Sequence, residues 1–385
     1  MFEIPKKPYG KLDLISADDH IIEPADVWTK RAPTKLKEKA PKIVVGADGV
    51  EMWKVEDRAT PNIGLSAMAG KSFEEYTAKA QNYRDMRLGC YDPKARVADM
   101  DLDGVKTQVC FPTVPSLGGE NFFSINDPEL RDWAIATYND WVVEEFQPTA
   151  PGRLIGLGIL PLYNPQMAVK ELNRIVKRGV KAVSIPCYLE GAKDCKSFVD
   201  PWYDLVWSAC EEMDIAINLH ISSAKRGGSE FLKNPLPGTA ESYITSAPLS
   251  NFQILSDIIW TGMLHRHPKL KVVSSEGGIG WVPYFLERAD YTYNRHRYWT
   301  KSQLTQKPSE YFHRQCYVAF ISDAAGVACR HMIGIDNLLW ESDYPHTDTT
   351  WPYSHKSVEQ SLPGVPEHER RKIVFENSQR IYHLN

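Results

Sequence analysis

Carboxylates and imidazoles recur in this chain just past short apolar runs. Leu14-Ile-Ser-Ala leads into Asp18, Asp19, His20 and, three residues on, Glu23. His220 closes an apolar run, Glu276 follows another and opens Gly277-Gly278-Ile279-Gly280, and Glu341-Ser342-Asp343-Tyr344-Pro345-His346 follows a third. Carboxylate oxygens and imidazole nitrogens together are a donor set for a divalent first-row ion. Asp18 and His20 point the same way on a strand, because side chains alternate with a period of two. Asp19 by the same rule faces away and reads as structural. Helix capping is the competing role for Asp18 and Asp343, but extended or proline-containing sequence follows both, which favours ligation. His20 and His220 stand at equivalent places in a repeating pattern, which favours ligation over burial as core histidines. His346, three residues past Asp343, suits proton transfer or support of a ligand.

Those residues need elements to bring them together. The chain has 385 residues, 43% apolar and 24% charged, with ample material for a buried core. A net charge of -4 gives no reason to expect a nucleic-acid partner, no apolar run approaches bilayer length, and the N-terminus lacks a secretory pattern, so a cytoplasmic protein is expected. The seven cysteines are scattered without C-x-x-C spacing, which excludes a cysteine zinc site and a disulfide framework. Apolar runs alternate with amphipathic stretches: strands are expected at Asp13 to Ala17, Thr107 to Phe111, Leu154 to Leu160, Ala182 to Ile185, Ile215 to Leu219, Leu270 to Ser274, Cys316 to Phe320 and Leu338 to Trp340. Helices are expected at Pro93 to Leu102, Pro128 to Phe146, Pro165 to Lys177, Pro201 to Met213, Asn251 to His265, Val282 to Tyr293, Asp323 to Met332 and Glu367 to Tyr382. Eight such units predict an α/β fold, a (β/α)8 TIM barrel in one domain over 1–385, with the donors on the C-terminal ends of the strands. Residues 24–91 show no periodicity and are too long for a connection, so they are expected to form a cap inserted after strand one. An open doubly wound sheet would need a glycine-rich phosphate turn; the nearest lookalike, Gly64 to Ser72, has the wrong spacing and no strand before it. The cap, the loop Ile221 to Ser250 and the aromatic run Tyr291 to Trp299 are candidate pocket walls, the last equally a candidate subunit interface.

Asp18-x-His20, His220, Leu286-Glu287-Arg288-Ala289-Asp290 and Ser342-Asp343-Tyr344-Pro345 resemble motifs of the amidohydrolase superfamily, in the amidohydrolase-related branch with aminocarboxymuconate semialdehyde decarboxylase and the resorcylate decarboxylases. The resemblance implies a barrel enzyme holding zinc or manganese through Asp18, His20, His220 and Asp343, commonly a homodimer, acting on a small molecule. It implies hydrolysis or non-oxidative decarboxylation of an apolar or aromatic acid, with Asp343 moving the proton and His346 or Glu276 as second acid–base group. The branch usually carries histidine where this chain has Glu276, and histidine or glutamate where it has Asp18. With Glu276 and Glu23 as ligands, the inventory becomes four carboxylates and two histidines, that of di-iron carboxylate proteins. A second expectation is therefore a non-haem di-iron monooxygenase on this barrel, hydroxylating an apolar substrate with O2. The third is a barrel that only binds metal or ligand.

Overall fold

A computed structural model of the chain describes residues 4–8, 10–11, 13–189, 192–221 and 236–384. Eight parallel strands form its centre. Strand one (Leu14–Ile21) pairs with strand two (Val105–Pro112), and strand two with the first half of strand three (Leu154–Gly156). The second half (Gly158–Ile159) begins a continuous run through strand four (Ala182–Ser184), five (Ala216–His220), six (Val272–Ser275), seven (Cys316–Phe320) and eight (Leu338–Trp340). Just past strand eight the barrel is tied back to strand one: the Asp343 N–H donates to Asp18 O at 3.0 Å and the His20 N–H to Tyr344 O at 2.7 Å.

Helix entry repeats one device. Asp92, Asp127, Asn164 and Asp200 each accept backbone N–H groups with their side chains, and each precedes a proline at the first helical position. The cap satisfies orphan donors that proline does not add to. The helices so started bury Trp141, Leu172 and Trp207 against the strands, and the core lies in this layer between barrel and helices. Two expected helices carry π-turns, at Val142–Phe146 and Lys372–Glu376.

Three boundaries differ from expectation. Strand one does not stop at Ala17; it runs to Ile21 with a bulge between Ser16 and Asp19 and every residue buried, because the polar residues that read as a strand end face the barrel interior and its back. The insertion after it contains an antiparallel sheet of Lys42–Val45, Glu51–Val55 and Arg58–Pro61. Its strands are short and mostly half-buried or exposed, so they carry no apolar alternation to read. Within the expected loop Ile221 to Ser250, residues 222–235 lie outside the described residues, and Thr239–Ser246 is a helix. No described helix is long and apolar enough to cross a membrane.

Candidate metal centre

Each candidate donor reaches the mouth from a strand end. Asp18 and His20 come from strand one, His220 from the last position of strand five, Glu276 from just past strand six and Asp343 from past strand eight. His20 Nε2 lies 3.5 Å from Asp18 Oδ1 and 3.2 Å from Asp343 Oδ1. His220 Nε2 lies 3.3 Å from Asp18 Oδ2 and 3.0 Å from Glu276 Oε2, and the two histidine Nε2 atoms face each other at 3.2 Å. The His220 Nδ1–H donates to Ile221 O at 2.6 Å, which leaves Nε2 with its lone pair toward the cluster. His346 stacks on His20 with ring centroids 3.6 Å apart and sets Nδ1 3.1 Å from Asp343 Oδ1. Two donor groups result: Asp18, His20 and His220, and His20, Glu276, Asp343 and His346.

The backbone holds two of these carboxylates in an uncommon conformation. Glu276 (φ 54°) and Asp343 (φ 56°) both sit in the left-handed region, which costs a non-glycine residue about 1–3 kcal/mol unless its surroundings enforce it. The surroundings do so: the Glu276 N–H donates to Glu341 Oε2 at 3.1 Å, and the Asp343 N–H is tied to strand one. The glycine turn after Glu276 is pinned by Asp323, whose Oδ2 accepts the Ile279 and Gly280 N–H groups at 2.7 and 2.6 Å. A Cβ on Gly280 would stand 2.9 Å from Asp323 Oδ1, so the turn needs glycine there.

Burial dominates the electrostatics. It pushes the Asp18 carboxyl well above the usual range, reinforced by Glu341, Asp343 and Glu276 around it. Glu341 is raised by burial too; the Glu276 N–H opposes this, and the charges of Glu276 and Asp343 add to it. His20 is lowered by burial and then by His346 and His220, and is held in the neutral, ligating form. Burial also works against the His346 cation, yet Asp343 and Glu276 outweigh it and raise its pKa. Both Asp18 oxygens, Asp343 Oδ2 and Glu341 Oε1 are buried and accept no hydrogen bond among the described residues. Acceptors so placed are costly without a cation, and the imidazole nitrogens beside them complete the set. The residues present therefore fit a divalent ion.

Not all of the expected residues gather. Glu23 is fully buried, but its Oε1 accepts the Thr113 N–H at 3.1 Å and its Oε2 the Val114 N–H at 2.9 Å; it belongs to neither donor group and holds the loop after strand two. Asp19 turns to the back of the barrel, accepting from Gln108 Nε2 at 3.2 Å and the Tyr344 N–H at 2.9 Å. Asp290 of the third motif accepts from Ser309 N–H and Oγ at 3.0 and 2.8 Å, joining two outer helices. Tyr298 and Trp299 are 76% and 73% exposed and lie away from the mouth, outside the cavity walls. Glu341 and Asp348 join the mouth without having been singled out. For Glu341 the available signal was its place directly after strand eight, two residues before Asp343.

Above the donors lies a cavity of about 560 Å³ walled by the cap, the loops after strands two, five and seven, and helix Thr239–Ser246. The family model described as amidohydrolase matches residues 25–384. The chain belongs to the amidohydrolase family. Among curated members it is similar to the gamma-resorcylate decarboxylase of a Polaromonas species, 24% identical over 310 residues that cover 75% of this chain and 87% of that protein. It is also similar to the 2-amino-3-carboxymuconate-6-semialdehyde decarboxylase of Dictyostelium discoideum, 25% identical over 213 residues, 55% of each chain. Among solved amidohydrolases, one from Mycobacterium avium subsp. paratuberculosis superposes with a TM-score of 0.75 at 23% identity, covering 96% of this chain and 99% of that one. The 5-carboxyvanillate decarboxylase of Novosphingobium aromaticivorans, solved with manganese and 4-hydroxy-3-methoxy-5-nitrobenzoic acid, superposes with a TM-score of 0.68 at 17% identity over the whole of both chains. These likenesses show the (β/α)8 barrel.

Proposed function

We propose that this amidohydrolase is a non-oxidative decarboxylase of small aromatic carboxylic acids, dependent on one manganese ion per chain held by Asp18, His20, His220 and Asp343. The observation that carries the reading is the convergence of these four buried side chains, with hydrogen-bond-free carboxylate oxygens, on the floor of a cavity large enough for a small molecule. A carboxylate-rich set suits manganese better than zinc, and manganese is named with the solved 5-carboxyvanillate decarboxylase. Both donor groups pass through His20, which supports one centre with overlapping donors rather than two independent sites. The relatives named as decarboxylases support lyase chemistry and do not favour the di-iron monooxygenase. The seven cysteines form no disulfide with one another among the described residues, which agrees with a reducing cytoplasm.

A divalent ion bound here supplies positive charge to the substrate carboxylate and to the charge that builds as its bond to carbon breaks. The protein's own groups do the rest. His20, His220 and the two aspartates would hold that ion and so set where the carboxylate sits. His346 is part-exposed to the cavity with Nδ1 3.1 Å from Asp343 Oδ1, and the charges of Asp343 and Glu276 favour a proton on its ring. The Asp343–His346 pair delivers that proton to the ring carbon as CO2 leaves, with Glu276 as second acid–base group beside it. The cap, residues 24–91, closes the cavity with Trp53, Asn62 and Leu65 and limits water.

The test is elemental analysis of protein purified without added metal, followed by CO2 release from hydroxybenzoates by manganese-loaded protein. One manganese per chain with CO2 release that Asp343→Asn abolishes is expected. Two irons per chain with O2 uptake would replace this reading by the oxygenase.

A further inference from the structure

The cavity walls are of two kinds, and their arrangement constrains the substrate beyond its lost carboxylate. Leu65, Val114, Leu117, Ile221, Ile244 and Ile321 come from the cap, three barrel loops and helix Thr239–Ser246 and make most of the wall apolar. The charged part is acidic: Glu276, Glu341, Asp343 and Asp348 all line the cavity, and every charged residue among the described lining residues apart from the histidines is a carboxylate. Asp348 extends that acidic side outward from the metal set, with Asp343, Glu276 and His346 as its charged neighbours. A dication can neutralise the substrate carboxylate at the floor, but among the described residues a second anion placed higher would face Asp348 and apolar walls. In addition, about 560 Å³ falls inside the range of about 300–1,000 Å³ that encloses drug-sized ligands and exceeds the needs of a single substituted benzene ring.

We infer that the substrate carries one anionic group only, the carboxylate that is lost, on an apolar body larger than one benzene ring. The inference rests on the decarboxylase reading for which group leaves, and it adds the charge and size of what remains. Repulsion from Asp348 across about 8–12 Å, at an effective dielectric constant of about 20, weakens a second anion by about tenfold to thirtyfold. Burying the added carbons of a second ring strengthens binding by about tenfold.

Calorimetric titration of the manganese-loaded protein with a hydroxynaphthoic acid, a hydroxybenzoic acid and a naphthalene dicarboxylic acid tests this, with CO2 recorded in the same samples. The hydroxynaphthoic acid should bind about tenfold tighter than either competitor, and Asp348→Asn should close the gap to the dicarboxylate while leaving the one to the single ring. A dicarboxylate that binds as tightly as the monoacid, or a single ring that binds as tightly as the double, overturns the inference. The two readings fail separately. The expected order of affinities without CO2 would contradict decarboxylation and uphold the selectivity, whereas CO2 release with the dicarboxylate preferred would contradict the selectivity alone.

Discussion

Asp18 and Glu23, on either side of His20, are both fully buried carboxylates, and the molecule treats them oppositely. Glu23 has a backbone N–H for each oxygen, from Thr113 and Val114. Asp18 has none for either, and instead meets two imidazole nitrogens and feels the charges of Glu341, Asp343 and Glu276. The same contrast separates the two sides of the strand ends. On the back, Asp19, Gln108, Arg96, Tyr344, Asp99 and Arg87 form a connected network: Arg96 donates to Gln108 Oε1 at 2.7 Å, to the carbonyl of His20 and to Tyr344 O at 3.1 Å, and the Tyr344 hydroxyl donates to Asp99 at 2.6 Å. On the front the acceptors converge and stay unsatisfied. A buried carboxylate that is hydrogen-bonded serves the fold; one left bare beside imidazole nitrogens is suited to a cation.

That contrast can be broken in order of effect. Replacing a front residue, His220→Ala, should remove the metal and lower turnover by about a thousandfold or more, read as manganese content and CO2 release. Glu23→Gln on the other side should keep the metal and change stability instead. Burial raises the Glu23 pKa from 4.5 to about 7, opposed by its backbone hydrogen bonds. Because the folded value lies above the unfolded one, the stabilisation is present below about pH 4.5 and is lost as pH rises through 7. Between pH 4.5 and 8, denaturant titrations should therefore show Glu23→Gln gaining on the parent by about 3 kcal/mol; equal slopes would show that Glu23 does not titrate in the fold. Arg96→Lys, in the back network that carries the His20 and Tyr344 carbonyls, should weaken manganese binding by about 10–100-fold, measured by titration of chelator-stripped protein. Trp299→Ala, 73% exposed and in neither region, should change stability by less than about 0.5 kcal/mol and leave turnover as it was, by thermal unfolding and the same assay.

The barrel could be read from the sequence because its signals are local: apolar runs of strand length, helix patterns, and an Asp or Asn before proline at four helix starts. Asp18, His20, His220, Glu276 and Asp343 were legible for a related reason, each standing beside such a run. What escaped depends on distant partners. Arg96 reads as a surface residue of an amphipathic helix, and only the fold brings it to Tyr344, 248 positions away. Glu23 looks as capable of ligation as Asp18 until strand two supplies its N–H groups. Glu341 was in view beside Asp343, but whether a carboxylate at a strand end faces the mouth is settled by the backbone turn at Asp343, not by its type. The cap sheet is too short and exposed to leave a pattern.

Manganese titration of chelator-stripped protein, carried out side by side on the parent, Asp18→Asn and Glu23→Gln, tests the central claim most directly. One ion per chain is expected in the parent and in Glu23→Gln, with equal affinity, and none in Asp18→Asn. Loss of the ion from Glu23→Gln to the same degree as from Asp18→Asn, or full retention by Asp18→Asn, would contradict it.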